Sequence, residues 1–251
     1  MRIAVLTSSI GANGLLPIKK FPGVDYHAFI DENVKETYEW TVHPVLKFSS
    51  DPTYENRRNA KVYKILPFAF LPDYDYYFWV DSTHMLDANP VEVIDTYLKD
   101  TDIAVFKHPE RDCIYIEGNF VKQIGFDHSN LLEEQLDFYE NMCYPSHNGL
   151  YELPVRVQRN TNLTQCMGWK WWEQICMFSS RDQISFPYVL TKHNIIPNVI
   201  ESNSLQNKEY IKKYTELPTS RKLINQRHNA FSLKVHTLRN IKILIKNVLR
   251  K

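Results

Sequence analysis

The sequence predicts an α/β fold built on a mixed sheet flanked by helices. Three observations carry that expectation. Tyr76 to Val80 is an unbroken run of aromatic and β-branched residues, bounded by Pro72-Asp73 before it and Asp87 to Pro90 after it. A strand buried on both faces reads this way. Strand-like runs then alternate with helical ones to about residue 190, the pattern of a layered α/β sandwich. The later half is less regular, which makes the sheet mixed rather than wholly parallel.

Bulk properties narrow the class. At 251 residues the chain is one sizeable domain with an appendage. A hydrophobic content of 43% and an aromatic content of 13% supply a real core and exclude disordered and collagen-like chains. Cys113, Cys143, Cys166 and Cys176 form no CxxC pair, which suits a reducing compartment. Met1-Arg2 runs straight into IAVLT, too short for the apolar core of a signal peptide. Nothing reaches the ~18 apolar residues of a membrane span. The expectation is a cytoplasmic protein. Its charge is uneven: no acid follows Glu216, where nine of the 30 bases lie, so the first 216 residues hold 21 bases against 29 acids. A basic tail on an acidic body points to an anionic partner for the tail. We therefore divide the chain into a domain over 1–216 and a basic, amphipathic helical tail over 217–251.

The elements follow in order. Arg2 to Ser8 reads as a first buried strand, and Ser9 to Gly14 as a polar loop. A strand followed by such a loop is a common phosphate or nucleotide edge, which makes Thr7 and Ser8 nucleotide-binding candidates, although a GxxG spacing is equally an ordinary turn. Val24 to Ile30 reads as a second strand and Trp40 to Leu46 as a short third. Tyr54 to Phe70 reads as a helix carrying Arg57, Arg58, Lys61 and Lys64. Arg57, Lys61 and Lys64 share one face, either solvated or turned toward phosphates beside the sheet. Tyr76 to Val80 ends in Asp81, at the carboxyl edge where open α/β sheets bind ligands. Pro90 to Lys99 reads as a helix capped by Asn89. Asp102 to Phe106 is a strand with a polar exit, His108 to Glu117. Asn119 to Tyr139 reads as helical with a break at Gly125. Tyr151 to Gln158 alternates like a half-buried strand. Trp169 to Phe178 reads as a helix, and another opens near Ser180 and runs through Leu190.

Four stretches together resemble one family. They are Lys61 to Pro67 with Leu71-Pro72, then Trp79-Val80-Asp81, then His108 through Arg111 to Glu117, and lastly Arg159 through Trp172 to Ser180-Arg181-Asp182-Gln183-Ile184-Ser185-Phe186. The family is one of glycosyltransferases that includes plant proteins linked to cell-wall and mucilage polysaccharides, with bacterial and viral relatives. The resemblance spans about residues 55 to 192. It implies a GT-A-like fold, a Rossmann-like mixed sheet that binds a nucleotide sugar. Many GT-A enzymes carry Asp-x-Asp here, with Mn²⁺ or Mg²⁺ bridging the diphosphate. This chain reads Asp81-Ser82-Thr83. Asp81 with Thr83 could still hold a metal, since Mg²⁺ often takes only one or two carboxylates plus phosphates. Asp81 could equally bind a sugar hydroxyl without one.

On this reading the donor meets Thr7, Ser8, Arg58, Lys61, Lys64, Asp81, His108, Arg111 and Arg159. The cations oppose charge growing on the leaving diphosphate. For Arg111 and Arg159 the bland alternative is an ion pair with Glu117 or Glu152. Asp182, at a helix start, is the candidate base of an inverting transfer. An acid there also simply suits the helix dipole. Glu117, Trp169, Trp172, Arg181 and Gln183 are assigned to the acceptor, the tryptophans as stacking platforms or plain core. The expected partners are a nucleotide-sugar donor, a glycan or lipid-linked acceptor and, through the tail, an anionic membrane surface at its inner face. Two competing readings are an inactive GT-A-like domain that binds glycan or nucleotide, and a nucleic-acid-binding protein. The acidic body opposes the latter.

Overall fold

A computed structural model describes residues 1–11, 14–51 and 53–200, and the backbone of 211–213. The elements are β1 (Ile3–Ser9), β2 (Val24–Ile30), β3 (Thr41–Pro44), α1 (Glu55–Ile65), α2 (Pro67–Phe70), β4 (Tyr76–Val80), β5 (His84–Leu86), α3 (Pro90–Tyr97), β6 (Ile103–Lys107), α4 (Ile114–Gln123), α5 (Ser129–Asn141), β7 (Tyr151–Arg159), α6 (Asn162–Met177), α7 (Asp182–Lys192), β8 (Asn198–Ile200) and β9 (Ile211–Lys213). The tail expected to be helical lies outside the described residues.

Seven strands form one mixed sheet in the order β3-β2-β1-β4-β7-β6-β8, and β5 pairs with β9 separately. β3, β2, β1 and β4 run parallel. β7 is antiparallel to both β4 and β6, and β8 is parallel to β6. The chain builds outward from β1 to β3, then returns to place β4 on the other side of β1. That reversal makes a crevice outside the carboxyl ends of β1 and β4, the usual ligand position in open sheets.

Both faces of the sheet are covered, which explains the unbroken apolar run of β4. Tyr77 and Trp79 face a core shared with α1, α5, α6 and α7, while Phe78 and Val80 face the core under α3. β7 departs from the half-buried strand its alternation suggests. Arg156 and Gln158, the polar half of that pattern, are buried in the middle of the sheet. The predicted helix from Tyr54 to Phe70 divides at Pro67, which opens α2. The break expected near Gly125 separates α4 from α5, with Gly125 at φ +65°. Asn89 caps α3 as expected, its side chain accepting from the Val91 N–H. α6 begins seven residues earlier than Trp169, at a capping box of Thr161 and Thr164. No helix among the described residues is long and apolar enough to cross a membrane.

Candidate active site

The site is built where β4, α1 and α7 meet. Lys61 and Lys64 lie one turn apart on α1, so both point the same way. Asp182 is the first residue of α7, and the turn before it is held firmly. Arg58 donates to the carbonyls of Ile175 and Phe178 at the end of α6. The Ser180 N–H and hydroxyl both donate to Asp127. These contacts deliver the Asp182 carboxylate to α1. Its Oδ2 accepts from Lys64 Nζ at 2.6 Å and sits 2.7 Å from Lys61 Nζ. Lys64 is only 2% exposed and Asp182 only 3%. These are not solvated charges.

Asp81 completes the cluster. Lys64 Nζ stands 3.8 Å from Asp81 Oδ1, which also accepts from Trp79 Nε1 at 2.7 Å. The Asp81 side chain keeps about a third of its surface, 32%, open. Lys64 additionally lies 5.7 Å over the Trp79 ring. A cavity of about 360 Å³ opens beside this cluster, lined also by Thr83, His108, Arg111, Glu117, Glu152, Arg181 and Gln183.

The electrostatics follow from burial and from these pairings. Burial would raise the Asp182 carboxyl, but the two ammoniums outweigh it and hold it far below the usual carboxylate range. Burial pushes Lys61 down to about 8, against the opposing pull of Asp182. Burial likewise lowers Arg156 to about 9. Arg156 was invisible as a site residue in the sequence. It donates to the Lys64 carbonyl and lies 4.9 Å over the Trp171 ring. Its Nε and Nη1 have no hydrogen-bond partner among the described residues. The available signal was a charge at an inward position of a strand enclosed by apolar helices.

The other expected residues separate into two groups. Arg111 does make the ion pair with Glu117, Nε to Oε2 at 2.6 Å, and packs over Phe120. Arg181 lies 3.7 Å from Glu117 and donates to Gln183. His108 Nδ1 accepts from the N–H groups of Glu110 and Arg111, so it shapes the turn that presents Arg111. Burial holds His108 below the usual imidazole value, leaving it neutral at pH 7. All of these line the cavity.

Arg58, Arg159, Trp169 and Trp172 do not line it. Arg58 is spent on Asp51 and the α6 terminus. Arg159 pairs with Asp102 rather than Glu152, bonds Tyr76, and lines a different cavity. It stands opposite Tyr76, a strand length from Asp81. Trp169 is 54% exposed on the outer face of α6 against Phe68, and Trp172 packs near Phe48. Thr7 and Ser8 end β1 with buried hydroxyls that have no partner among the described residues. They lie outside the cavity lining, one step past the Leu6–Trp79 register.

The residues do not fit a divalent metal at Asp81. Its Oδ1 is engaged by Trp79 and faces an ammonium, and the Thr83 hydroxyl is bonded to His84 Nδ1 at 3.0 Å. Among the described residues no three His, Cys, Asp or Glu side chains come together as a metal set. Even a site of one or two carboxylates plus phosphates needs its carboxylate free of a competing cation, and Asp81 faces the Lys64 ammonium.

Comparison with known proteins decides the family. The TOD1/MUCI70, glycosyltransferase-like domain family matches residues 26–213. The chain belongs to that family. The TOD1/MUCI70 match contains every residue of the cavity, from Lys61 to Gln183. The chain is also 28% identical over 155 residues to an Arabidopsis thaliana protein named "Probable hexosyltransferase MUCI70". That alignment covers 56% of this chain and 26% of the plant protein, so the chain spans about a quarter of that relative. Among solved structures, mouse xyloside xylosyltransferase 1 in its apo form superposes with a TM-score of 0.48 at 11% identity, over 80% of this chain and 85% of the mouse chain.

Proposed function

We propose that this member of the TOD1/MUCI70 family is a glycosyltransferase of GT-A type. It moves a glycosyl group from a nucleotide-diphosphate sugar to a glycan or lipid-linked acceptor in polysaccharide or glycolipid synthesis. The observation that carries the reading is the cluster of Asp81, Lys61, Lys64 and Asp182 at the carboxyl edge of β4, open to one cavity. Asp81 has the exposure to accept from a sugar or ribose hydroxyl of the donor. Arg111 and Arg181 line the same cavity, Arg111 available to the donor and Arg181 to the acceptor.

The transfer is read as inverting. The acceptor hydroxyl then attacks the anomeric carbon and gives its proton to a carboxylate. Asp182 was the sequence-based candidate, but a carboxylate bound to two ammoniums is a poor base, because a base works best with a pKa near the operating pH. The proton is assigned instead to Glu152 on the cavity wall, because Glu117 is itself held between the guanidinium groups of Arg111 and Arg181. A second reading, an inactive domain that binds nucleotide or glycan, is favoured by the threonine at position 83.

Donor hydrolysis and transfer over a panel of nucleotide sugars test the proposal, with wild type beside Asp81→Asn. Turnover of at least one donor is expected, with loss in the variant at unchanged melting temperature. A charge-assisted hydrogen bond of about 1.5–3 kcal/mol is at stake. Binding without turnover of any donor would establish the inactive reading, and wild-type turnover by Asp81→Asn would remove Asp81 from the site.

A further inference from the structure

The mismatch between Asp81 and a divalent metal has a structural counterpart beside it. We propose that Lys61 and Lys64 bind the donor's diphosphate directly, in place of a metal ion, with Asp182 as their shared counter-ion. The inference deepens the transferase reading and rests on it.

Both ammoniums reach a single oxygen, Asp182 Oδ2, at 2.7 and 2.6 Å. Lys64 is simultaneously 3.8 Å from Asp81. A divalent ion bound by Asp81 would therefore share its surroundings with a fixed positive charge, and repulsion between such charges is strong where water is excluded. Arg156 adds a third buried cation behind the pair, with two guanidinium nitrogens unbonded among the described residues. Among the described residues, Lys61, Lys64 and Arg156 bring three cations against the two carboxylates Asp81 and Asp182. Two ammoniums also carry the same formal charge as one divalent ion. Lys61 has the access: its side chain is 16% exposed and lines the cavity.

The chemistry balances with these groups. The bond between the anomeric carbon and the bridging oxygen breaks, and its electron pair stays on the diphosphate. The Lys61 and Lys64 ammoniums meet that charge. The acceptor oxygen forms the new bond to carbon, and its proton passes to a cavity glutamate. Cations already fixed in place need no reorganisation as the charge grows. Asp182 keeps both protonated and aimed while the site is empty.

The test is calorimetric binding of UDP, GDP, ADP, CDP and inorganic pyrophosphate to the full chain, each in EDTA and each with Mn²⁺ or Mg²⁺. At least one diphosphate should bind in EDTA, with affinity changed less than about threefold by the metal. Lys61→Met should weaken it at least tenfold and Lys61→Arg should retain most of it. Lys61 is the position to change, because Lys64 is too deeply enclosed to replace without disturbing the fold. Binding that requires the metal, or Lys61→Met binding like wild type, overturns the inference. Turnover of donors with metal-dependent binding would leave the transferase reading standing without it. Metal-free pyrophosphate binding with no turnover of any donor would do the reverse. No binding under either condition sinks both.

Discussion

At the scale of single residues, Asp182 is the charge on which the others depend. Removing one partner of a buried ion pair typically costs about 3–5 kcal/mol, because the remaining charge is left uncompensated. Asp182→Asn leaves Lys61 and Lys64 facing each other with Arg156 behind them. Urea denaturation should show a loss in that range, and the double variant Asp182→Asn/Lys61→Met should recover much of it. Full stability in the single variant would mean the ammoniums do not depend on Asp182. Lys61 makes a second prediction through pH. It is held at about 8 in the fold against an ordinary 10.5, facing Asp182, Lys64 and Asp81, while His108 across the cavity is already neutral. Diphosphate affinity should be flat below about pH 8 and fall up to tenfold per unit above it, as Lys61 loses its proton. Stability moves the other way. Between about 8 and 10.5 the unfolded chain binds the proton that the fold releases, so the Lys61 contribution to stability rises with pH. Titrating affinity and denaturation of wild type against Lys61→Met checks both directions, and parallel trends would refute the assignment.

At the scale of elements, the contact between α1 and α6 sets where the lysines point. Gly168 allows it: a Cβ there would meet the Ile65 carbonyl oxygen at 2.9 Å and Phe68 at 3.0 Å. Gly168→Ala should push α1 off its seat, costing about 1–3 kcal/mol as overpacking does, and should lower donor turnover with it. Unchanged melting and kinetics would show that the helices have slack. Elements also explain what was legible in the sequence. β1 and β4 announced themselves because parallel strands covered on both faces carry continuous apolar runs, whereas β2 showed itself by the alternation of Val24 to Ile30. β7 misled, because alternation signals a wet face only when that face is open, and here Arg156 is covered by α1 and α6 and Gln158 is buried with it. Asp81, Lys61, Lys64 and Asp182 were each nameable from position or resemblance. That the two lysines share one carboxylate oxygen was not, since residues 61 and 182 are far apart in sequence and meet through tertiary contacts such as the Arg58 and Asp127 bonds around the turn before α7. Arg58, Arg159, Trp169 and Trp172 show the opposite error. Charge and aromaticity marked them, but only the fold reveals that Arg58 and Arg159 serve helix and strand ends, that Trp169 lies on an outer face and that Trp172 packs half-buried against the core.

At the scale of the whole molecule, the basic tail sets a third kind of expectation. Leu238, Ile241, Ile245, Val248 and Leu249 recur at helical spacing, with Lys234, Arg239, Lys242, Lys246 and Arg250 beside them. Each base near an anionic bilayer contributes about 1 kcal/mol, so the segment suits in-plane, salt-sensitive attachment near a lipid-linked acceptor. The full chain should sediment with anionic vesicles at low salt, whereas a chain ending at Ser220 should not. Equal behaviour would make the tail a packing element. The position of β7 has a consequence for how the protein is made. β4 and β6 touch only through β7, and β7 is complete only at Arg159. A ribosome adding roughly 5–20 residues per second needs several seconds to more than ten to travel from Val80 to Arg159. Throughout that interval one edge of β4, with its Tyr77, Phe78 and Trp79, has no neighbour, and bare apolar edges invite pairing between chains. A chain halted at Gly149 should therefore be insoluble and protease-sensitive where the finished chain is neither. The strand that closes the sheet also sets how long the newborn chain must be shielded from its own copies.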